Sequence, residues 1–379
     1  MARSIRSVKE RSMLGAAAYR ILVINPGSTS TKVALFEDDR PLLQETIRHE
    51  ATELAAFPHI SDQYPFRRDC VLRWLEAHGI ALSSLQAVVG RGGLLGPLES
   101  GTYRVNAAML EEMATPGPRE HASNLGVLIA HEIACRAGVP AFTVDPPAVD
   151  EMDEIARLTG LAEIEWPSLS HALNTKAVAR RASRDLGRPY EALRLVIAHL
   201  GGGISITAHR DGRMVDVRGG IDSGPFTPER CGALPLTELI ELCYSGRFRK
   251  EELKRYLIGR GGFVSHLGTN SAVEVEQRIA EGDARARLVA EAMAYQIARE
   301  IAAMGAVLYG RVDAVILTGG LAHWKQLVEW IRERVSFLAP VLVYPGEGEM
   351  QALAEGALRV LRGEEEAREY VPRSRRKSD

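Results

Sequence analysis

The chain has 379 residues, 46% of them apolar and 25% charged, with a formal net charge of −2. That length exceeds one ordinary core and suits two domains, while the even charge balance excludes a general nucleic-acid binder, so an anionic ligand has to be held by a local site. Cys70, Cys135, Cys231 and Cys243 show neither CxxC spacing nor paired histidines, which points to reduced thiols and a cytoplasmic setting in a chain large enough to do without disulfides.

In chain order, residues 1–18 read as a disordered extension, because Arg20 interrupts the apolar run that a signal peptide needs. No stretch reaches 18 uninterrupted apolar residues, so no membrane span is expected. Strand 20–24 leads into the loop NPGSTSTK at 25–32, which carries Asn25, Gly27, Ser28, Ser30 and Lys32 before strand 33–38. A further strand near 42–50 and a helix near 66–79, stopped by Gly79, follow. Residues 85–90 read as a buried strand that delivers Arg91 at its carboxyl end, where open α/β sheets bind ligands; a surface arginine before a flexible loop fits equally well.

Helices are predicted over 106–114 and 121–137, with His121 at the amino end of the second, where backbone N–H groups favour anions. Strand 139–144 delivers Asp145, and 148–167 is an acidic loop. His171 opens another helix, a position where a capping or core role is the ordinary one, and 183–191 is the crossover to the second half.

The second half opens on LVIAHLGGGISITAH, residues 195–209. Gly201, Gly202 and Gly203 lack a Cβ, so the backbone there is free to take positive φ and to press its N–H groups against a phosphate; a plain tight hairpin is the competing reading. The stretch ILVINPGSTSTKVALFE at 21–37 repeats the same strand, turn and strand about half a chain earlier, which implies a duplicated fold. Asp211-Gly212 turns the chain into strand 214–217, and the loop 218–235 is too rich in glycine and proline to be regular. Helices at 236–245 and 249–257, a glycine-rich turn at 259–262, helices at 271–281 and 284–309, and strand 313–318 lead to Gly319-Gly320. Helix 323–335, strand 341–344 and helix 348–362 precede a charged tail expected to fray.

Four motifs in order, NPGSTSTK (25–32), HLGGGIS (199–205), GPFTPERCGALP (224–235) and ILTGGLAH (316–323), resemble the butyrate kinases, within the acetate kinase family of the actin, hexokinase and Hsp70-like ATPases. The Pro-Phe-Thr-Pro-Glu-Arg run is what favours butyrate over acetate kinases. The resemblance implies an α/β fold of two duplicated ribonuclease H-like (actin-like ATPase) domains around a central nucleotide cleft, 19–190 and 191–347, with helix 348–364 returning to the first domain, a hinge near 185–192 and a charged tail at 365–379. It implies ATP and Mg²⁺ as cofactors, a short-chain carboxylate such as butyrate or isobutyrate as substrate, and a homo-oligomer.

Carried over by resemblance, Asn25, Gly27, Ser28, Ser30 and Lys32 face the β- and γ-phosphates, His199 and Gly201–Gly203 hold phosphates from the second domain, and Gly319 and Gly320 lie against the adenosine. Arg91 matches the arginine near the substrate carboxylate and Arg230 the second catalytic arginine, while His121, Asp145 and His171 match other active-site positions. Asn25, through water, and Asp145 are the metal candidates. Two departures stand out: Gly202 replaces the asparagine usual in the acetate kinase phosphate loop, and His323 replaces the acid that follows the adenosine glycines. A sugar kinase of the same fold, with Asp145 as base, and a non-catalytic ATP-binding protein are the competing readings.

Overall fold

The computed structural model describes residues 18–115, 121–219 and 223–372. The readings of 1–17 as an extension, of the turn at 116–120, of residues 220–222 in the long loop and of the tail beyond Pro372 lie outside the described residues.

Two sheets carry the fold. The first has the order β12-β5-β6-β4-β1-β2-β3, built from β1 (Arg20–Pro26), β2 (Ser30–Glu37), β3 (Arg40–Arg48), β4 (Ala87–Gly90), β5 (Thr102–Arg104), β6 (Ala141–Val144) and β12 (Arg368–Glu369). The second has the order β11-β10-β7-β8-β9, with β7 (Leu195–Leu200), β8 (Ile204–Arg210), β9 (Arg213–Gly219), β10 (Ala314–Gly319) and β11 (Val341–Pro345). In each sheet a three-stranded antiparallel meander is extended by two strands parallel to its first strand. The shared order β3-β2-β1-β4-β6 and β9-β8-β7-β10-β11 is the duplication expected from the two strand-turn-strand repeats.

Apolar runs explain the central strands. Ile21, Leu22, Val23 and Ile24 in β1, and Leu195, Val196, Ile197 and Ala198 in β7, are fully buried, as strands covered on both faces require. Each such large aliphatic side chain is worth about 1.5–3 kcal/mol in transfer from water. On the second sheet the helix Ala284–Val307 lays Ala286, Ala290, Met293, Ile297, Ile301 and Met304 into the core at helical spacing. Strand β3 is the opposite case, an exposed edge whose Pro41 and charged residues discourage further pairing. Asp211 and Gly212, with φ of 54° and 70°, make the tight β8–β9 turn that their sequence predicts.

The chain splits into two compact units. One comprises residues up to Leu94, Gly101–Val144 and Met350–Pro372; the other comprises Leu95–Ser100 and Asp145–Glu349. This division places residues 145–190, read from sequence with the first domain, in the second unit, since Val178, Ala179 and Ala182 of helix Ala172–Leu186 pack with Leu195, Ile197 and Ile316 of the second sheet. The segment 185–192, read as a hinge, therefore lies within that unit.

Three local differences have clear causes. The tail does not fray through Pro372: β12 pairs with β5, Glu365 accepts from the Thr102 backbone at 2.6 Å, and Tyr370 is buried. Helix 121–137 starts only at Asn124, because Ala122 and Ser123 form a turn. The turn expected at 259–262 breaks one helix at Gly259 and starts another, Gly262–Leu267. Among the described residues no helix is long and apolar enough to cross a membrane, and the four cysteines carry no disulfide.

Candidate active site

In the second unit, β7 ends and β8 begins at the three glycines, closed by a bond from the Gly201 N–H to the Gly203 carbonyl at 3.0 Å. None of the three lies in the positive-φ region, which corrects the expectation of left-handed backbone; what Gly201 and Gly203 require is space. A Cβ at Gly203 would stand 2.8 Å from Arg230 Nη1 and 3.2 Å from His171 Cε1, and one at Gly201 would stand 3.1 Å from His199 Nε2. Gly202 is exposed and would meet only Glu229 Oε1, at an ordinary 3.8 Å.

The glycine turn is thereby the floor on which Arg230, His171 and His199 converge. The two imidazoles stack with centroids 3.8 Å apart. His171 Nδ1 shares a hydrogen bond of 2.9 Å with Ser205 Oγ, and His199 Nδ1 one of 2.8 Å with Asn174 Oδ1. Asn174 donates through Nδ2 to the Glu347 carbonyl at 2.6 Å. A carbonyl only accepts, so Asn174 Oδ1 is the atom facing His199, and the His199 proton sits on Nδ1.

Arg230 is placed by its own loop. Thr227 Oγ donates to the Gly202 carbonyl at 2.7 Å and accepts from the Arg230 N–H at 3.0 Å, tying the Pro-Phe-Thr-Pro-Glu-Arg run to the glycine turn. From below, a Cβ at Gly262 would stand 1.6 Å from the Thr227 carbonyl oxygen and one at Gly261 2.2 Å from the Cys231 nitrogen, so this glycine pair seats the loop. Burial lowers the affinity of the Arg230 guanidinium for its proton, with Glu229 opposing the effect. At the end of β10, Gly319 has φ of 90° and its Cβ would stand 2.3 Å from the Leu200 carbonyl oxygen, whereas Gly320 faces open space. His323 is exposed.

Asp145 forms a second cluster in this unit. It is fully buried with φ of 39°, a strained conformation for a non-glycine residue of the kind that gathers at functional sites. Ser100 Oγ donates to its Oδ1 at 2.6 Å and Arg180 Nη1 to its Oδ2 at 3.2 Å. Behind it, Glu151 accepts from the Ser100 N–H at 3.2 Å and pairs with buried Lys176 at 2.6 Å. Burial pulls the Lys176 pKa down and Glu151 pulls it back up. Among the described residues no group of three or more His, Cys, Asp or Glu is arranged to hold a metal ion.

In the first unit, Asn25 and Lys32 are cross-strand partners flanking the turn at Gly27, Ser28 and Thr29. The Gly27 N–H bonds the Ser30 carbonyl at 2.7 Å. Beneath the turn lies Arg67, from helix Tyr64–Ala77 and fully buried. Its Nη1 donates to the carbonyls of Gly27 at 2.7 Å and Ser30 at 3.0 Å, and its Nη2 to the carbonyl of Ser28 at 2.9 Å. Gln63 Oε1 accepts from Nε and Nη2 at 3.0 and 2.9 Å. Burial pushes the Arg67 pKa down to about 10. Nothing in the local pattern FRRD marks Arg67 over its neighbour Arg68, so sequence reasoning missed it.

Arg91 follows β4, and its N–H bonds the Ile24 carbonyl at 2.9 Å. Gly90, Gly93 and Gly126 let this segment lie directly against the amino end of helix Asn124–Ala137: a Cβ at Gly126 would stand 2.5 Å from the Arg91 carbonyl oxygen and one at Gly90 2.1 Å from that of Gly126. His121 precedes the same helix, its Nδ1 2.8 Å from Ser123 Oγ. Asn25, Gly27, Ser28, Ser30, Lys32, Arg91 and His121 thus belong to the first unit; Asp145, His171, His199, Gly201–Gly203, Arg230, Gly319 and Gly320 belong to the second.

Residues 170–338, within the second unit, match the sequence model of the acetokinase family. Acetate kinase from Porphyromonas gingivalis superposes with a TM-score of 0.74 at 20% identity, covering 90% of this chain and 99% of that one. A propionate kinase from Francisella tularensis subsp. tularensis superposes with 0.69 at 19% identity, covering 89% and 98%. Acetate kinase from Entamoeba histolytica gives 0.71 at 16% identity, again covering 89% and 98%. Residues 170–338 are therefore similar to the acetokinase family, and the duplicated α/β fold of the chain is that of these acetate and propionate kinases.

Proposed function

We propose that the chain is an ATP-dependent carboxylate kinase that converts a short-chain fatty acid, with butyrate or isobutyrate as the leading substrates, to its acyl phosphate. The observation that carries this reading is the seat of Arg230. A planar guanidinium is held beside His171 over a glycine turn, where a side chain at Gly203 would collide with both. Arginine binds carboxylate or phosphoryl oxygens in pairs, which is the recognition such a transfer needs. The acetokinase match over residues 170–338 supports the same chemistry.

In the reaction, a carboxylate oxygen attacks the γ-phosphorus, the bond from that phosphorus to the β,γ-bridging oxygen breaks, and ADP leaves with the electron pair. A carboxylic acid with a pKa of about 4 is already ionised at pH 7, so no general base is required. The difficulty is bringing one anion to another, which positioning and neutralisation overcome. We assign Arg91 to the acid's carboxylate, Arg230 to the transferring phosphoryl group, and His121 and His171 to hydrogen bonds around them. The 25–32 turn with Lys32, and Gly201–Gly203 with His199, hold phosphates; Gly319 and Gly320 hold the adenosine.

Mg²⁺ fits as an ion carried in by the nucleotide, since Mg²⁺ keeps several waters and uses one or two protein ligands beside phosphate oxygens. Asn25, through water, and Asp145 are assigned to it. The engagement of both Asp145 oxygens, one by the Arg180 cation, suits an orienting carboxylate and disfavours the general base that a sugar kinase would need. A homo-oligomer belongs to the same proposal, and sedimentation at working concentration tests it.

Hydroxylamine trapping with ATP, Mg²⁺ and a panel of C2 to C5 acids tests the function. Hydroxamate should form fastest with butyrate or isobutyrate. Formation with acetate alone makes the chain an acetate kinase, and formation with none removes carboxylate kinase activity altogether. One methylene in an apolar pocket is worth about 1–3 kcal/mol, so a single pocket residue decides between these acids.

A further inference from the structure

Arg67 carries a role beyond those assigned above. It buries a full positive charge with no exposed surface, and the oxygens that accept its hydrogen bonds are neutral: three backbone carbonyls of the 27–30 turn, the Gln63 amide and the Thr31 hydroxyl at 3.4 Å. No carboxylate lies within ion-pairing distance of it among the described residues. Buried charges are ordinarily paired, because desolvating an unpaired one is costly. A charge left without its counter-ion directly behind a Gly/Ser/Thr turn points to an anion that arrives at the turn from outside.

The bonding pattern adds a geometric argument. Three carbonyls of a four-residue turn converge on one guanidinium, so the turn has one conformation and cannot open without stranding the arginine. Gln63, one helical turn earlier on the same segment, holds the plane of the guanidinium by accepting from both Nε and Nη2. Thr31 is shared with His49, whose Nε2 lies 2.8 Å from Thr31 Oγ, so the next residue of the hairpin is anchored as well.

We propose that Arg67 is a positioning residue for the phosphate end of the nucleotide: it fixes the 27–30 turn by its carbonyls and supplies a positive charge whose counter-ion is the bound β- and γ-phosphates. This rests on the nucleotide-binding part of the reading above. It does not depend on which acid accepts the phosphoryl group.

Calorimetric titration of Mg·ATP and of AMP into wild type, Arg67→Lys and Arg67→Met tests it. Mg·ATP affinity should fall at least tenfold in Arg67→Met with AMP affinity unchanged, and Arg67→Lys, which keeps the charge but gathers its three donors on one nitrogen and so cannot reproduce the planar fork that bonds the turn and Gln63 together, should fall between. If Arg67→Met does not fold, Gln63→Met frees the guanidinium plane and should show the same selective loss. A ratio of ATP to AMP affinity that stays at the wild-type value in folded variants overturns the proposal. Hydroxamate formation by wild type separates the outcomes: an active wild type with an unchanged ratio sinks the role of Arg67 alone, a wild type that binds ATP but forms no hydroxamate sinks the carboxylate reading alone, and a wild type that binds neither nucleotide overturns both.

Discussion

The rings of His171 and His199 lie face to face, centroids 3.8 Å apart and planes 12° from parallel. Each is oriented by a different neighbour, Ser205 for His171 and Asn174 for His199, so the pair is one unit with two anchors. Residues in direct contact couple by about 0.5–3 kcal/mol in double-mutant cycles. Substituting His171→Ala, His199→Ala and both should therefore give losses in kcat/KM that are far from additive. Additive losses would separate the rings into independent roles.

The glycine turn makes a sharper contrast between neighbours. Gly203→Ala drives a methyl into Arg230 and His171, so kcat should fall by at least tenfold. Gly202→Ala meets only Glu229 at contact distance, and stability should change by no more than about 0.5 kcal/mol, as at an ordinary surface position. Equal effects at both positions on kcat and on urea midpoint would contradict the steric account.

For the arginines, Arg91→Ala and Arg230→Ala should each lower kcat by about 10²–10³-fold, the loss typical when one preorganised charge donor is removed from a transition state. Circular dichroism melts should stay near wild type. Near-normal turnover in either variant takes that arginine out of the mechanism.

Behind Asp145, Lys176 and Glu151 form an ion pair whose side chains are 1% and 8% exposed. Removing one partner of a buried pair strands the other charge, so Lys176→Met should cost about 3–5 kcal/mol in urea unfolding at pH 7. A loss below 1 kcal/mol would mean that water reaches Glu151 in the variant.

Acid sensitivity follows from His209, fully buried between Tyr190 Oη at 2.6 Å and Thr207 Oγ at 2.8 Å. Burial holds its pKa well below the ordinary value of 6.5, with Lys176 and Arg180 adding to the effect. Below pH 6.5 the unfolded chain takes up a proton that the folded chain refuses, so the stability present above that pH is lost as pH falls, at about 1.4 kcal/mol per unit for this one group. Urea midpoints at pH 7.5 and 5.5 should differ more in wild type than in His209→Gln. His49, lowered mainly by burial and then by Arg67, adds a loss of the same sign.

The duplication was legible because a β-rich run, a small-residue turn and a second β-rich run is a local pattern, visible wherever it recurs. The glycine clusters, Asp145 at a strand end and the Asp211-Gly212 turn were legible for the same reason. The pairing of β1 with β2 and of β7 with β8 was legible as two hairpins, because each pair of strands is joined by a short small-residue turn.

What tertiary structure alone decided is whatever joins residues distant in sequence. Arg67 reaches a turn some forty residues earlier, Asn174 reaches His199, and Arg180 reaches Asp145. None of these arginines or amides differs locally from a solvated surface residue; burial and convergent acceptors give each its role. Gly201 and Gly203 are the clearest case: sequence specified that no Cβ stands there, and only the packed structure showed that the room is taken by Arg230 and two imidazoles, because steric need is a property of neighbours and not of the chain itself.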